Sequence, residues 1–174
     1  MNGIADILRE SSLKPAKSVP QPMWEVPGVE PDFDVIIIGG GVAGTVAAYQ
    51  LSRAGHDVLL IERGQEPGSK NLSGGVLYCR VLQEIFPDFL QDAPVERKIT
   101  RNQLMLLNGD SSVALDYRDA RLADPVNAVT VLRAKLDPWL SGKCEEAGAT
   151  VMPGVRVDSL IERDGQFVGV RSGD

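Results

Sequence analysis

One segment constrains this chain more than any other. Val35-Ile36-Ile37-Ile38 runs directly into Gly39-Gly40-Gly41-Val42-Ala43-Gly44. An unbroken apolar, β-branched run of this length suits a central parallel strand buried on both faces. The glycines that follow fit G-x-G-x-x-G, and Val42 to Ala54 carries Ala43, Val46, Ala47, Leu51 and Ala54 near helical spacing, with Gly55 as a stop. Asp57 to Glu62 reads as a second buried strand, so strand, helix and strand form a right-handed βαβ unit. Each glycine has a task in such a turn. Gly39 allows the tight bend, Gly41 lets a diphosphate approach bare backbone, and Gly44 lets the helix lie against the strand. The helix start at Val42 and Ala43 then offers unpaired N–H groups and a partial positive charge to phosphates. Glu62 ends the second strand, where a carboxylate accepts the ribose hydroxyls of an adenosine and disfavours a 2′-phosphate.

NAD and FAD share this fingerprint. Arg63-Gly64 and then Gly68 to Gly75 form a long polar loop. Its small residues and backbone donors could pass along a ribityl chain and a flavin ring, or the loop could be a surface connection.

Composition removes several other functions. The net charge is −6, which argues against nucleic acid as a partner, because phosphate backbones need a basic face. Hydrophobic residues make up 43% and charged residues 24% of the 174 positions, as in folded globular proteins. No apolar run approaches a bilayer span and no signal peptide is visible, so a cytoplasmic, reducing location is expected. Cys79 and Cys144 form no metal-spaced cluster, and the single histidine, His56, is poor material for a triad. Both cysteines read as packing residues. Arg97, Lys98 and Arg101 read as a solvated strand edge.

Residues 1–32 hold five of the 11 prolines and read as an extended arm, either pinned by Met23 and Trp24 or mobile. The domain proper spans 33–174. Arg80 to Phe86 suggests a short helix stopped by Pro87. Residues 96–117 suggest β structure, with Asn108-Gly109 as a hairpin turn, and Ala128 to Leu132 suggests a strand. Lys135 to Ala147 reads as a helix with Leu136, Leu140 and Cys144 on one face and Pro138 near its first turn. Ala149 to Met152 reads as a third parallel strand, and Asp164-Gly165 as a second hairpin turn. The final Ser172-Gly173-Asp174 looks like a turn into a further strand, so the domain is expected to be incomplete at its C-terminus.

Several stretches resemble a known group. Asp34 to Gly44, Glu62-Arg63-Gly64 and Lys70-Asn71-Leu72-Ser73-Gly74-Gly75 are similar to FAD-dependent oxidoreductases of the group containing electron-transfer-flavoprotein:quinone oxidoreductases, FixC proteins and geranylgeranyl reductases. Ser73 to Leu77, leading to Ile85 to Phe89, is most like FixC and the quinone oxidoreductases. Leu132 to Leu140 resembles the group's R-x-x-(F/L)-D-x-x-L helix. The resemblance implies an α/β, Rossmann-like FAD-binding domain of the p-hydroxybenzoate-hydroxylase type with inserted antiparallel β structure. It places the pyrophosphate at Gly39 to Gly44 and the ribose at Glu62. It counts Arg63 among the cofactor-binding residues, brings Lys70, Asn71, Ser73, Gly74 and Gly75 toward the ribityl–isoalloxazine end, sets Arg133 beside the cofactor, and gives Val157 a backbone contact to adenine.

The same resemblance implies electron transfer from an electron-transfer flavoprotein through FAD to quinone or a ferredoxin-like iron–sulfur partner. Quinone would bring peripheral contact with a membrane, for which these residues offer no support. Two other readings stay open. One is a flavin-dependent reductase of isoprenoid double bonds or an aromatic hydroxylase. The other is an isolated nucleotide-binding fragment without catalysis. No catalytic side chain and no metal are expected.

Overall fold

The computed structural model describes residues 32–173. The elements, in chain order, are β1 (Val35–Ile38), α1 (Val42–Arg53), β2 (Val58–Glu62), β3 (Gly74–Tyr78), α2 (Arg80–Ile85), α3 (Phe89–Asp92), β4 (Val95–Lys98), β5 (Arg101–Leu107) and β6 (Ser112–Arg118). They continue with β7 (Ala128–Leu132), α4 (Arg133–Glu146), β8 (Thr150–Pro153), β9 (Val157–Arg163) and β10 (Gln166–Ser172). The expected arm over 1–32 lies almost wholly outside the described residues.

A parallel sheet runs in the order β1-β2-β8, with Val35 opposite Val58 and Leu59 opposite Thr150. β2 is the buried centre, and Val58 to Ile61 are all nearly inaccessible. Among the described strands β1 pairs with β2 alone, and Ile38 is 53% exposed. α1 and α4 cover one face of the sheet. Thr45 and Ala48 keep α1 slim where α4 crosses, and the Cys144 thiol donates to the Thr45 carbonyl at 2.9 Å. Leu136, Leu140 and Cys144 form the buried face of α4, as their spacing implies.

A second sheet, antiparallel in the order β3-β7-β4, packs with α2 and α3 around Leu82, Phe86, Phe89, Val129 and Val131. Two differences from the sequence expectation matter for the site. Gly74 and Gly75 belong to β3 rather than to a loop, paired with Leu132 and Val131. Helix α4 begins at Arg133, two residues before Lys135, so Pro138 falls in its second turn.

Two hairpins complete the structure. β9 and β10 turn at Asp164 and Gly165, both at positive φ, which is the geometry an Asp-Gly hairpin requires. β5 and β6 turn through Asn108 to Ser111, where the Asn108 N–H donates to the Ser111 carbonyl. The β5–β6 pairing sets Leu104 opposite Leu115 and Leu106 opposite Val113, with Tyr117 on the same side of the ribbon. All five are at least half exposed.

Burial pushes the Cys144 thiol up from its ordinary value to about 11. Between about pH 9 and pH 11 the unfolded chain therefore loses a proton that the folded chain keeps, and stability falls as pH rises. Urea unfolding across that range should show a decline in wild type that is shallower in Cys144→Ala. Parallel curves would contradict this.

Candidate functional site

The site grows from the bend between β1 and α1. Gly39 adopts φ 104°, a region that side chains with a Cβ avoid, and its N–H donates to the Ile61 carbonyl at 2.7 Å. A Cβ on Gly44 would fall on the Gly39 carbonyl oxygen, so the bend and the helix can meet only with glycine there. Gly41 caps α1 through its carbonyl, which accepts from the Thr45 N–H at 3.0 Å. No side chain caps this end and no acidic residue lies in the first turn. The N–H groups at Val42, Ala43 and Gly44 are thus left to an incoming anion.

Glu62 closes the other side. Its Oε2 accepts from the Gly40 N–H at 2.7 Å and its Oε1 from the Gly64 N–H at 2.6 Å. The carboxylate therefore braces the glycine bend and starts the following loop. A carboxylate offers about four lone-pair sites, so two stay available for hydroxyl donors.

Two clefts meet at Glu62 and Arg63. The first, about 230 Å3, lies between Gly40, Gly41, Gly68, Lys70, Asn71 and Arg133. Three of its side chains are cationic, namely Arg63, Lys70 and Arg133, against one carboxylate. The second, about 330 Å3, lies between Ile38, Gly39, Ile61, Val155, Arg156 and Val157. It is the more apolar of the two, suited to the faces of a planar base. A cationic cleft at a helix start, a carboxylate and an apolar slot, in that order, match the diphosphate, ribose and base of a dinucleotide. A larger depression of about 440 Å3, between Tyr49, Phe86 and Trp139 at the far ends of α1 and α4, shares no residue with either cleft.

The structure thus brings Gly39, Gly41, Glu62, Arg63, Lys70, Asn71, Arg133 and Val157 to these clefts, with Val42, Ala43 and Gly44 beside them at the helix start. Ser73, Gly74 and Gly75 line neither cleft. Ser73 instead accepts the Arg133 backbone N–H at 3.0 Å, and the two glycines run in β3. Space above Gly75 is open, with nothing within 4 Å of where a Cβ would stand. Three participants escape a sequence reading. Gly40 supplies the N–H that Glu62 holds, Gly68 floors the first cleft, and Asp137 grips Arg133 and Asn71 from behind. A hint of the last is the four-residue interval from Arg133 to Asp137, which puts them on one helix face.

His56 is exposed, 3.9 Å from Asp34 at the strand ends remote from the glycine bend. Cys79 is buried, and burial raises its thiol pKa, as expected of a packing residue. Among the described residues no helix is long and apolar enough to cross a membrane, and no cluster of metal-ligating side chains occurs.

Comparison with known proteins agrees with this geometry. Residues 34–85 match the family model described as FAD dependent oxidoreductase. The chain is 50% identical over 143 residues to a probable electron transfer flavoprotein-quinone oxidoreductase of Escherichia coli K12, YdiS, covering 82% of this chain and 33% of that protein. It is 47% identical over 141 residues to Protein FixC of the same strain, covering 80% and 33%. The chain spans about a third of the length of these curated relatives. Among solved structures it resembles a geranylgeranyl bacteriochlorophyll reductase-like protein of Thermoplasma acidophilum, with TM-score 0.63 and 24% identity over 80% of this chain and 34% of that one. It also resembles the myxobacterial chondrochloren halogenase CndH, described as a variant of FAD-dependent halogenases, with TM-score 0.58 and 27% identity over 80% and 32%. The fold is that of an FAD-binding α/β unit, and FAD is the cofactor the comparisons indicate.

Hydrogen bonds to charged groups contribute about 1.5–3 kcal/mol. Glu62→Ala should therefore raise the FAD dissociation constant at least about tenfold, read by calorimetric titration. Gly41→Val, which sets a branched side chain against the open start of α1, should abolish measurable binding. Wild-type affinity in both variants would refute the pose.

Proposed function

We propose that this chain is the FAD-holding part of a flavoprotein oxidoreductase that takes electrons from an electron-transfer flavoprotein and passes them to quinone or to a ferredoxin-like iron–sulfur partner. The observation that carries the first half is the meeting of the two clefts at Glu62. In this reading the N–H groups at the start of α1 receive the pyrophosphate, with Gly39, Gly41 and Gly44 keeping the approach clear. Glu62 takes the ribose, and the backbone around Val157 meets adenine. Lys70, Asn71 and Arg133 face the diphosphate and ribityl stretch, while Ser73, Gly74 and Gly75 carry the chain toward the ring end. FAD supplies the redox chemistry when bound, and the protein supplies binding, orientation and electrostatics.

Support for the electron route is the 50% identity to YdiS, whose name is that of a probable electron transfer flavoprotein-quinone oxidoreductase. The cleft side chains suit such a role, since Arg63, Lys70 and Arg133 are cations that favour a phosphate-bearing cofactor. A cytoplasmic setting follows from this reading, with peripheral contact at a membrane where quinone is the acceptor. The likeness to a reductase-like protein at 24% identity speaks for the fold alone.

The test is electron delivery. FAD-loaded protein is mixed without oxygen with a reduced electron-transfer flavoprotein, and both flavin spectra are followed. Bleaching of the acceptor as the donor recovers colour is expected. Rapid reduction by NADPH with none by the flavoprotein would overturn the proposal in favour of a reductase or hydroxylase.

A further inference from the structure

Asp137 is fully buried, an expensive place for a carboxyl group unless its oxygens are well supplied with donors. Here they are. Oδ1 accepts from Arg133 Nε at 2.7 Å, and Oδ2 accepts from Arg133 Nη2 at 2.8 Å and from Asn71 Nδ2 at 2.7 Å. The paired bonds to Arg133 have the bidentate geometry that fixes a guanidinium plane as well as its position. The third bond reaches across to the loop after β2, so one carboxylate ties that loop to the first turns of α4.

The loop is seated tightly on this support. Gly68 adopts φ 80°, and a Cβ there would stand 2.8 Å from the Asp137 Cβ and 3.0 Å from the Arg133 carbonyl oxygen. Asn71 is further tied by its own N–H, which donates to the Gly68 carbonyl at 2.8 Å. On the other side, Arg133 Nη2 lies 3.7 Å from where a Cβ of Gly41 would be. The guanidinium therefore faces the helix start that receives the diphosphate. It has five N–H groups, and Asp137 takes only two of them.

We propose that Asp137 is a positioning residue for the cofactor's diphosphate–ribityl stretch. It lines neither cleft, and acts by holding Arg133 against the glycine bend and Asn71 opposite it. The cleft wall is thereby set before the cofactor arrives, which lowers the ordering cost of binding. This rests on the FAD reading given above. It also makes a distinction that general stabilisation would not. Asp137's two partners border the first cleft only, and the second cleft, which takes the adenosine end, is bordered by neither.

The probes are FAD and AMP, titrated separately into wild type, Asp137→Asn and Asp137→Glu, with thermal unfolding of each. Asp137→Asn should weaken FAD about tenfold, the effect of losing one hydrogen bond to a charged group, and leave AMP within about twofold. Asp137→Glu keeps the ion pair but moves the carboxylate by one methylene, so it should weaken FAD by a smaller factor and again spare AMP. If Asp137→Asn does not fold, Asp137→Glu decides. Equal losses for FAD and AMP, or unchanged FAD affinity in a folded variant, would overturn the inference. Wild type that binds AMP but not FAD would overturn the functional reading, and this inference with it.

Discussion

The arrangement depends on one carboxylate held between two backbone N–H groups. Glu62 ends the buried central strand, and its oxygens take the hydrogen bonds of Gly40 and Gly64. Gly39 adds a parallel tie through its own N–H to Ile61. The bend after β1 is therefore fastened to the end of β2 at two neighbouring points. Without them, Gly40 would keep a donor with no partner in the protein, and the bend would lose the shape that exposes the helix start. Both clefts border on this residue, so the same group that shapes the bend divides the cationic cleft from the apolar one.

A second fastening aligns the opposite wall. Helix α4 carries Arg133 at its first position, and α4 is packed against α1 through Leu140, Cys144 and the narrow surface at Thr45 and Ala48. The helix that offers free N–H groups and the helix that offers the guanidinium are thus registered by one apolar contact. The loop from Arg63 to Ser73 lies over the junction, held at its start by the Gly64 N–H donating to Glu62 and toward its end by Asn71 donating to Asp137 and by the Arg133 N–H donating to the Ser73 carbonyl. Core packing and site geometry are, in this corner of the molecule, the same set of contacts.

Much of this is readable in the amino-acid order, for local reasons. An apolar run into spaced glycines, a helical stripe and an acid ending the next run all lie within one βαβ unit, where period and turn chemistry decide the outcome. What could not be read arises between distant segments. Gly74 and Gly75 have poor strand propensity, yet they are strand because Leu132 and Val131 pair with them. Helix α4 starts at Arg133 because its N–H is taken by Ser73, far earlier in the chain. Asp137 is the sharpest case. Its spacing to Arg133 is visible, but its burial and its bond to Asn71 are tertiary facts.

The ribbon of β5 and β6 has a practical consequence. Leu104, Leu106, Val113, Leu115 and Tyr117 make one oily side that the described residues leave in water. A surface of that kind adheres to whatever greasy material is nearest, other copies of the same molecule included. That liability makes dilute samples or a mild surfactant the sensible conditions for any spectroscopy on this chain by itself.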